Sequence, residues 1–359
     1  MKAAVYRSFS GPIIIEDIPR PTAPPSGVVI EVKATGVCRS DWHGWKGHDS
    51  DIVDHGLPFV PGHEVSGVIV EVGSEVTKFK LGDRVAVPFI LSCGHCRMCS
   101  TYNRPTTCEK QEQPGFTMHG SFAEYLALPR AERNLSIIPD RVSFVEAAAL
   151  GCRFTTAYRA VVQQGGLKAS DSVAVFGCGG LGLSCVMIAS AFGVKQVIAI
   201  DVTANALEKA LTVGATDMVN GKTEDVQKRV LELTNGLGVD LTLDAAGFKA
   251  TCEDAISCTR RGGGRMIQVG LPIGDQKPIV PMGMVAGKEI EIIGSHGCDS
   301  RDMPKILQLV ERGKLDPKKL IEREVTLEQG IKALMEMDNK SPVGMVMITQ
   351  FTDEPQSKY

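Results

Sequence analysis

Four cysteines crowd one stretch of the chain, at positions 93, 96, 99 and 108. The first three are separated by two residues each, and eight lie between Cys99 and Cys108. Thiolates at such spacing can close a tetrahedron around zinc, a site that stabilises the fold and leaves no position for chemistry. Buried free thiols and an iron–sulfur cluster draw on the same residue type. A zinc-ribbon nucleic-acid module would need a basic setting, and Arg97, Arg104 and Lys110 supply little of one.

A second set is dispersed: Cys38, His63 in Gly62-His63-Glu64, and Cys152 in Leu150-Gly151-Cys152. A catalytic zinc needs three protein ligands and an open position. Spacing alone does not join these three, since a buried thiol or a satisfied core histidine accounts for each one singly.

The third feature is Gly177-Cys178-Gly179-Gly180-Leu181-Gly182, which follows a short apolar run at 173–176 and opens a helical stretch. Glycines there permit a tight turn and a close backbone approach to a pyrophosphate, which the helix N-terminus then faces. Asp201 ends the next strand, where a carboxylate bonds the adenine-ribose hydroxyls and repels a 2′-phosphate, so NAD is expected over NADP. Gly177, Gly179, Gly180, Leu181, Gly182 and Asp201 form the expected cofactor site, with Val269 at the end of a later strand. A glycine-rich turn without ligand is the plain alternative, and the agreement of strand, helix and terminal acid weighs against it.

These residues need a scaffold. The first third reads as β-structure, with runs at 28–37, 65–72 and 85–90 punctuated by Gly and Pro, and with little helical periodicity before Val145. Apolar runs at 173–176, 197–201, 217–220, 239–244, 265–270 and 290–293 then alternate with helical segments at 180–192, 203–213, 223–234 and about 249–258. That pattern predicts a doubly wound parallel sheet of the Rossmann kind. A helix over 302–312, a second starting at a Thr326/Gln329 capping box, and a strand at 344–349 close the chain. This tail is too short for a domain and is expected to pack back on the N-terminal one. The division expected is 1–152 for the metal-binding domain, 153–293 for the dinucleotide domain and 294–359 for the return segment.

Bulk properties narrow the class. The chain has 359 residues, 43% apolar and 23% charged, with a formal net charge of −3. That suits roughly two domains and gives no basic field for nucleic acid or anionic lipid. No run of about 18 apolar residues marks a membrane span. Neither a signal peptide nor a Ser-Lys-Leu terminus is seen, so the cytoplasm is the expected address. Eleven cysteines in such a setting read as metal ligands or buried thiols, not disulfides.

At this point the sequence resembles the zinc-containing alcohol dehydrogenases of the medium-chain dehydrogenase/reductase family, over essentially the whole chain. The resemblance is carried by Gly62-His63-Glu64 with Gly67, Gly73 and Val76, by Cys38-Arg39-Ser40-Asp41 with His43, and by Gly151-Cys152-Arg153-Phe154-Thr155-Thr156. It implies a GroES-like catalytic domain beside the Rossmann domain. Cys38, His63 and Cys152 would hold the catalytic zinc, Glu64 would lie behind it as an occasional alternative ligand, and Asp41 would orient the His63 ring. Arg39 would contact the pyrophosphate, Thr156 the nicotinamide, and Phe89 and Trp45 would wall the substrate pocket; ordinary core packing is the alternative for these two aromatics. Cysteine at 152, where the polyol branch usually has glutamate, points to the simple-alcohol branch. The expected reaction is reversible oxidation of a primary or secondary alcohol with hydride transfer to NAD. Zinc would favour ionisation of the alcohol, and the proton would leave through Ser40 and the nicotinamide ribose to His43, titrating near physiological pH. A homodimer or homotetramer is the expected assembly, with a small molecule as substrate.

Two departures from the family pattern stand out. The family usually places seven residues, not eight, between the third and fourth structural cysteines. Its C-terminal arginine has no match within Lys340-Ser341-Pro342-Val343-Gly344. A polyol or amino-alcohol dehydrogenase on the same scaffold is the alternative enzyme. A fold relative serving as an NAD sensor is the alternative from another class, and intact Cys38, Ser40, His43, His63 and Cys152 argue against it.

Overall fold

The computed structural model describes residues 1–272, 277–339 and 342–351. Lys340 and Ser341, within the segment lacking the family arginine, and the terminal Ser357-Lys358-Tyr359 lie outside the described residues. The chain divides into two compact units: residues 1–155, 297–313 and 321–359, and residues 156–296 and 314–320.

The first unit is built on β-branched runs. Strands β1 (Lys2–Tyr6) and β2 (Ile13–Asp17) form an antiparallel pair. Strands β3 (Val28–Val37), β4 (Glu64–Val72), β5 (Arg84–Val87), β6 (Tyr125–Leu128) and β7 (Ser136–Ile137) belong to a seven-stranded sheet. β3 lies at its centre, because its side chains are buried throughout except at Glu31 and Lys33, which pair with each other at 2.6 Å. β5 stops at Val87, three residues earlier than the apolar run indicates. Pro88 lacks the N–H that the ladder would need, which explains the early end.

Short helices at Arg39–Trp45, Ser50–His55, Arg97–Ser100, Ala131–Asn134 and Phe144–Ala149 interrupt this unit. They correct the expectation of an almost helix-free first third. Each is two turns or fewer, too short to develop a 3.6-residue period, and two of them start at a clear side-chain cap. Asp49 accepts from the N–H groups of Asp51 and Ile52, and Ser143 with Glu146 makes a capping box.

The second unit carries β8 (Ser172–Phe176), β9 (Gln196–Asp201), β10 (Asp217–Asn220), β11 (Leu241–Asp244), β12 (Arg265–Gln268) and β13 (Glu291–Gly294). All six run parallel in the order β10-β9-β8-β11-β12-β13. The strands count outward from β8 in both directions, so the switch point lies between β8 and β11, where such sheets bind ligands beyond their carboxyl ends. Helices Gly180–Ala191, Ala204–Thr212, Val226–Leu233 and Lys249–Cys258 supply crossovers. β12 ends two residues before the apolar run does, since the N–H groups of Val269 and Gly270 turn to the Asp244 carbonyl at 3.1 and 2.8 Å.

β14 (Ile321–Thr326) and β15 (Met345–Gln350) complete the seven-stranded sheet, with β15 antiparallel to β3 through Val346–Val37 to Ile348–Thr35. The helix Leu327–Glu336 between them begins at the Thr326/Gln329 capping box. No helix among the described residues is long and apolar enough to cross a membrane.

Candidate metal centres and dinucleotide site

Three segments remote in sequence bring Cys38, His63 and Cys152 together, and their donor atoms lie within 4.8 Å of one another. Cys38 sits at the end of β3 and starts the helix Arg39–Trp45, His63 precedes β4, and Cys152 lies in a π-helical turn, Leu150–Phe154. Asp41 organises the first two. Its carboxylate accepts from Cys38 N at 2.9 Å, Gly62 N at 3.0 Å and His63 Nδ1 at 2.8 Å. A carboxylate can only accept, so Nδ1 carries the ring proton and Nε2 keeps a bare lone pair. That Nε2 is buried without a partner. An orphaned imidazole nitrogen beside two thiols fits a zinc ion with three protein ligands and an open position.

The charges agree with this. Cys38 is held well below the ordinary thiol range, first by a hydrogen bond from Cys152 and then by the positive field of Arg153. Glu64 is wholly buried, and Arg153 grips it: Arg153 Nε reaches Oε1 at 2.9 Å and Oε2 at 3.1 Å, Nη2 also bonds Oε2, and the Arg153 backbone N–H reaches Oε1 at 3.0 Å. Burial pushes the Glu64 carboxyl up even with this partner, which shows how completely the pair is withdrawn from water. Nothing local in the sequence around Arg153 marks this role, because its partner is 89 positions away.

The other expected residues fall around this centre in different ways. Phe89 packs with its ring centroid 6.1 Å from that of His63, and Phe116, which sequence spacing gave no reason to select, is closer at 4.9 Å. Trp45 is buried and donates to the Gly11 carbonyl at 2.7 Å. Arg39 stacks on Trp42 at 3.7 Å and donates to the Met337 carbonyl at 2.5 Å. Ser40 is partly buried one turn before His43, so the two share a helix face. The expectation that His43 titrates near physiological pH is corrected. Burial first, then the charges of Arg39 and His48, push it down to about 4, and its Nδ1 lies 3.3 Å from that of His48.

Cys93, Cys96, Cys99 and Cys108 are all buried, with sulfurs within 4.8 Å of one another. Between Cys99 and Cys108 the chain turns through a 3-10 helix at Pro105–Thr107, and the eight-residue gap still brings Cys108 to the other three sulfurs. Four sulfurs at about 2.3 Å from one zinc would stand roughly 3.8 Å apart, and Cys96 Sγ to Cys108 Sγ is 3.7 Å. Backbone N–H groups of Cys96, Cys93 and Lys110 point at sulfurs, each at 3.3 Å, as thiolate acceptors require. The donor set fits a closed structural zinc site.

In the second unit the glycine-rich turn connects β8 to the helix Gly180–Ala191. Gly177 has φ +90°, and a Cβ at Gly182 would stand 1.7 Å from the Gly177 carbonyl oxygen, so turn and helix close tightly there. A Cβ at Gly179 would meet nothing within 4 Å. Open space therefore lies before the first N–H groups of the helix, where Gly180 and Leu181 begin it. Asp201 Oδ2 accepts from Cys178 N at 2.7 Å and Oδ1 from Thr203 N at 2.8 Å, which fixes the carboxylate and leaves each oxygen a lone pair for a ribose hydroxyl. Val269 is buried just beyond β12. Thr156 Oγ1 is buried with no partner. The cradle fits a dinucleotide.

Comparison with known proteins agrees with both units. Residues 24–140 match the family described as alcohol dehydrogenase GroES-like domain, and residues 180–312 match zinc-binding dehydrogenase. An alcohol dehydrogenase of Geobacillus stearothermophilus is 38% identical over 317 residues, 88% of this chain and 90% of that one. A sorbitol dehydrogenase of Bacillus subtilis is 34% identical, covering 92% and 91%. Among solved structures, the alcohol dehydrogenase TADH from Thermus sp. ATN1 superimposes with a TM-score of 0.90 at 29% identity, covering 98% of this chain and all of that one. The chain belongs to the zinc-containing alcohol dehydrogenases of the medium-chain dehydrogenase/reductase family.

Proposed function

We propose that the chain is a zinc-dependent, NAD-using alcohol dehydrogenase that reversibly converts a primary or secondary alcohol to an aldehyde or ketone. The observation that carries this is the buried donor set Cys38, His63 and Cys152, with His63 Nε2 left without a partner. In this reading residues 1–152 with 294–359 carry the metal chemistry and 153–293 the cofactor. When bound, zinc supplies Lewis acidity toward a hydroxyl oxygen and NAD supplies the hydride acceptor.

The chain's own residues do the rest. Asp41 holds the imidazole so that Nε2 faces the thiols. Ser40 Oγ takes the hydroxyl proton from the substrate, and the outward neighbour on its helix face is His43. Pushed down to about 4, His43 is neutral at physiological pH and a weak base there, so it relays the proton onward to solvent and does not hold it. Asp201 receives the adenine-ribose hydroxyls, the N–H groups at Gly180 and Leu181 face the pyrophosphate, and Thr156 Oγ1 is free for the nicotinamide; Arg39 is the pyrophosphate contact that the family likeness implies. Phe89, with Phe116, lines the ring face of His63 and excludes water. Glu64, gripped by Arg153, stands beside the centre without joining its donor set.

A polyol substrate is the second reading, favoured by the likeness to a sorbitol dehydrogenase. Cys152, a thiolate donor in place of a carboxylate, favours the simple alcohol. Assembly as a homodimer or homotetramer is part of the proposal. Its support is β13, the last strand of the parallel sheet, with Ile292 exposed and Ile279, Val280 and Met282 exposed just before it. Eleven free cysteines suit the reducing cytoplasm.

Cys152→Ser should lose the ion of the three-donor site and all but a trace of turnover while circular dichroism stays native; full zinc content with unchanged turnover would refute the ligand assignment. Asp201→Gly should shift the NAD/NADP ratio of kcat/KM towards NADP by about tenfold or more, and an unaltered ratio would count against the ribose contact. The His43 ring should titrate near pH 4 in an NMR pH series. Since protonation of the unfolded chain begins higher, near 6.5, this histidine removes stability as pH falls through that window and adds nothing more below it; a midpoint at 6.5 contradicts its burial. Sedimentation should give a multiple of the 38.5 kDa chain mass, and a monomer at micromolar concentration would exclude the β13 interface.

A further inference from the structure

Glu64 and Arg153 each stand next to a metal-binding residue, Glu64 directly after His63 and Arg153 directly after Cys152. They are 89 positions apart in sequence and form a two-point ion pair, 9% and 0% exposed at the side chains of arginine and carboxylate respectively. The arginine's backbone N–H adds a further bond to the same carboxylate. The surroundings are shaped for it. A Cβ at Gly36 would stand 2.2 Å from Glu64 Oε2, and a Cβ at Gly151 would stand 2.9 Å from Glu64 Cα. Any side chain at 36 would evict the carboxylate, and any side chain at 151 would lift the Cys152 turn off β4.

A buried carboxylate must find a positive partner, and losing one member of such a pair costs far more than replacing both by neutral groups. Two positive partners lie near Glu64: the Arg153 guanidinium, and, since Cys38 and His63 are close enough to act on its charge, whatever ion the neighbouring donor set takes. A carboxylate oxygen is itself a zinc ligand. A fourth protein ligand would close the position that an alcohol must occupy. The bidentate fork decides between them, since it occupies both oxygens at once.

We propose that Arg153 is a positioning residue of the metal centre: by gripping Glu64 it ties the His63 strand to the Cys152 turn and keeps the carboxylate out of the donor set. This rests on the three-donor reading given above. The pair thus keeps the ion at three protein ligands and the fourth position open. It also predicts that harm done by removing Arg153 comes from Glu64, so removing the carboxylate as well should undo it.

The test uses the full chain with cobalt in the three-donor site, and follows the visible spectrum, chelator-driven metal release and kcat. Arg153→Met should shift the ligand-field bands as a carboxylate oxygen takes the fourth position, and lower kcat by about tenfold or more. The double variant Glu64→Gln/Arg153→Met should return the wild-type spectrum and recover most of kcat. Should Arg153→Met fail to fold, Arg153→Lys keeps the charge but engages one oxygen, and should shift the spectrum in the same direction by less. A wild-type spectrum in the folded Arg153 variants, or a double variant as impaired as the single, overturns the proposal. Cys152→Ser separates the two readings. If it loses the metal while the Arg153 variants keep the wild-type spectrum, only the role of Arg153 fails; if it retains the metal, the three-donor site itself fails.

Discussion

The Asp41 carboxylate is the interaction on which the metal centre depends. One buried side chain accepts from Cys38 N, Gly62 N and His63 Nδ1, and so joins the end of β3 to the turn that precedes β4. It fixes the imidazole tautomer and leaves Nε2 without a protein partner. Leaving that nitrogen unpaired in the interior is unfavourable, and so is crowding two thiols against it. The arrangement is reasonable only if something else satisfies all three donors, and a divalent cation does. Local strain of this kind at the centre of a well-packed β-sheet is what distinguishes a functional site from its scaffold.

The scaffold was largely legible because its signals are local. β-branched runs broken by glycine gave β3 and β4, and six apolar runs alternating with helical periods gave the parallel sheet. The capping boxes and the glycine-rich turn were readable for the same reason: each is decided by residues within a few positions. What escaped was short or non-local. The helix Arg39–Trp45 holds Ser40, Asp41 and His43, yet seven residues give too few turns for periodicity. The π-turn at Leu150–Phe154 has no compositional mark at all.

The site itself was legible as motifs and illegible as a set of contacts. Cys38, His63 and Cys152 could be joined only by family likeness, because they stand 25 and 89 positions apart and spacing carries no information across such gaps. Arg153 was in view within the third motif, but its partner Glu64 is a long-range contact, and nothing near Arg153 predicts it. His43 went wrong for a related reason. Its ordinary titration was assumed, and the burial and the neighbouring Arg39 and His48 charges that depress it depend on how the helix packs. The cysteine cluster behaved oppositely: its irregular spacing looked like a defect, yet the four sulfurs lie together.

The measurement that tests the account most directly is zinc content combined with X-ray absorption at the zinc edge on the purified, metal-loaded chain. The two donor sets predict two zinc ions per chain, with an average of three sulfurs per zinc, since four cysteines serve one ion and two serve the other. Imidazole scattering should account for part of the remainder. One zinc per chain with a shell of four sulfurs and no nitrogen would mean that only the cysteine cluster holds metal, and would contradict the catalytic centre.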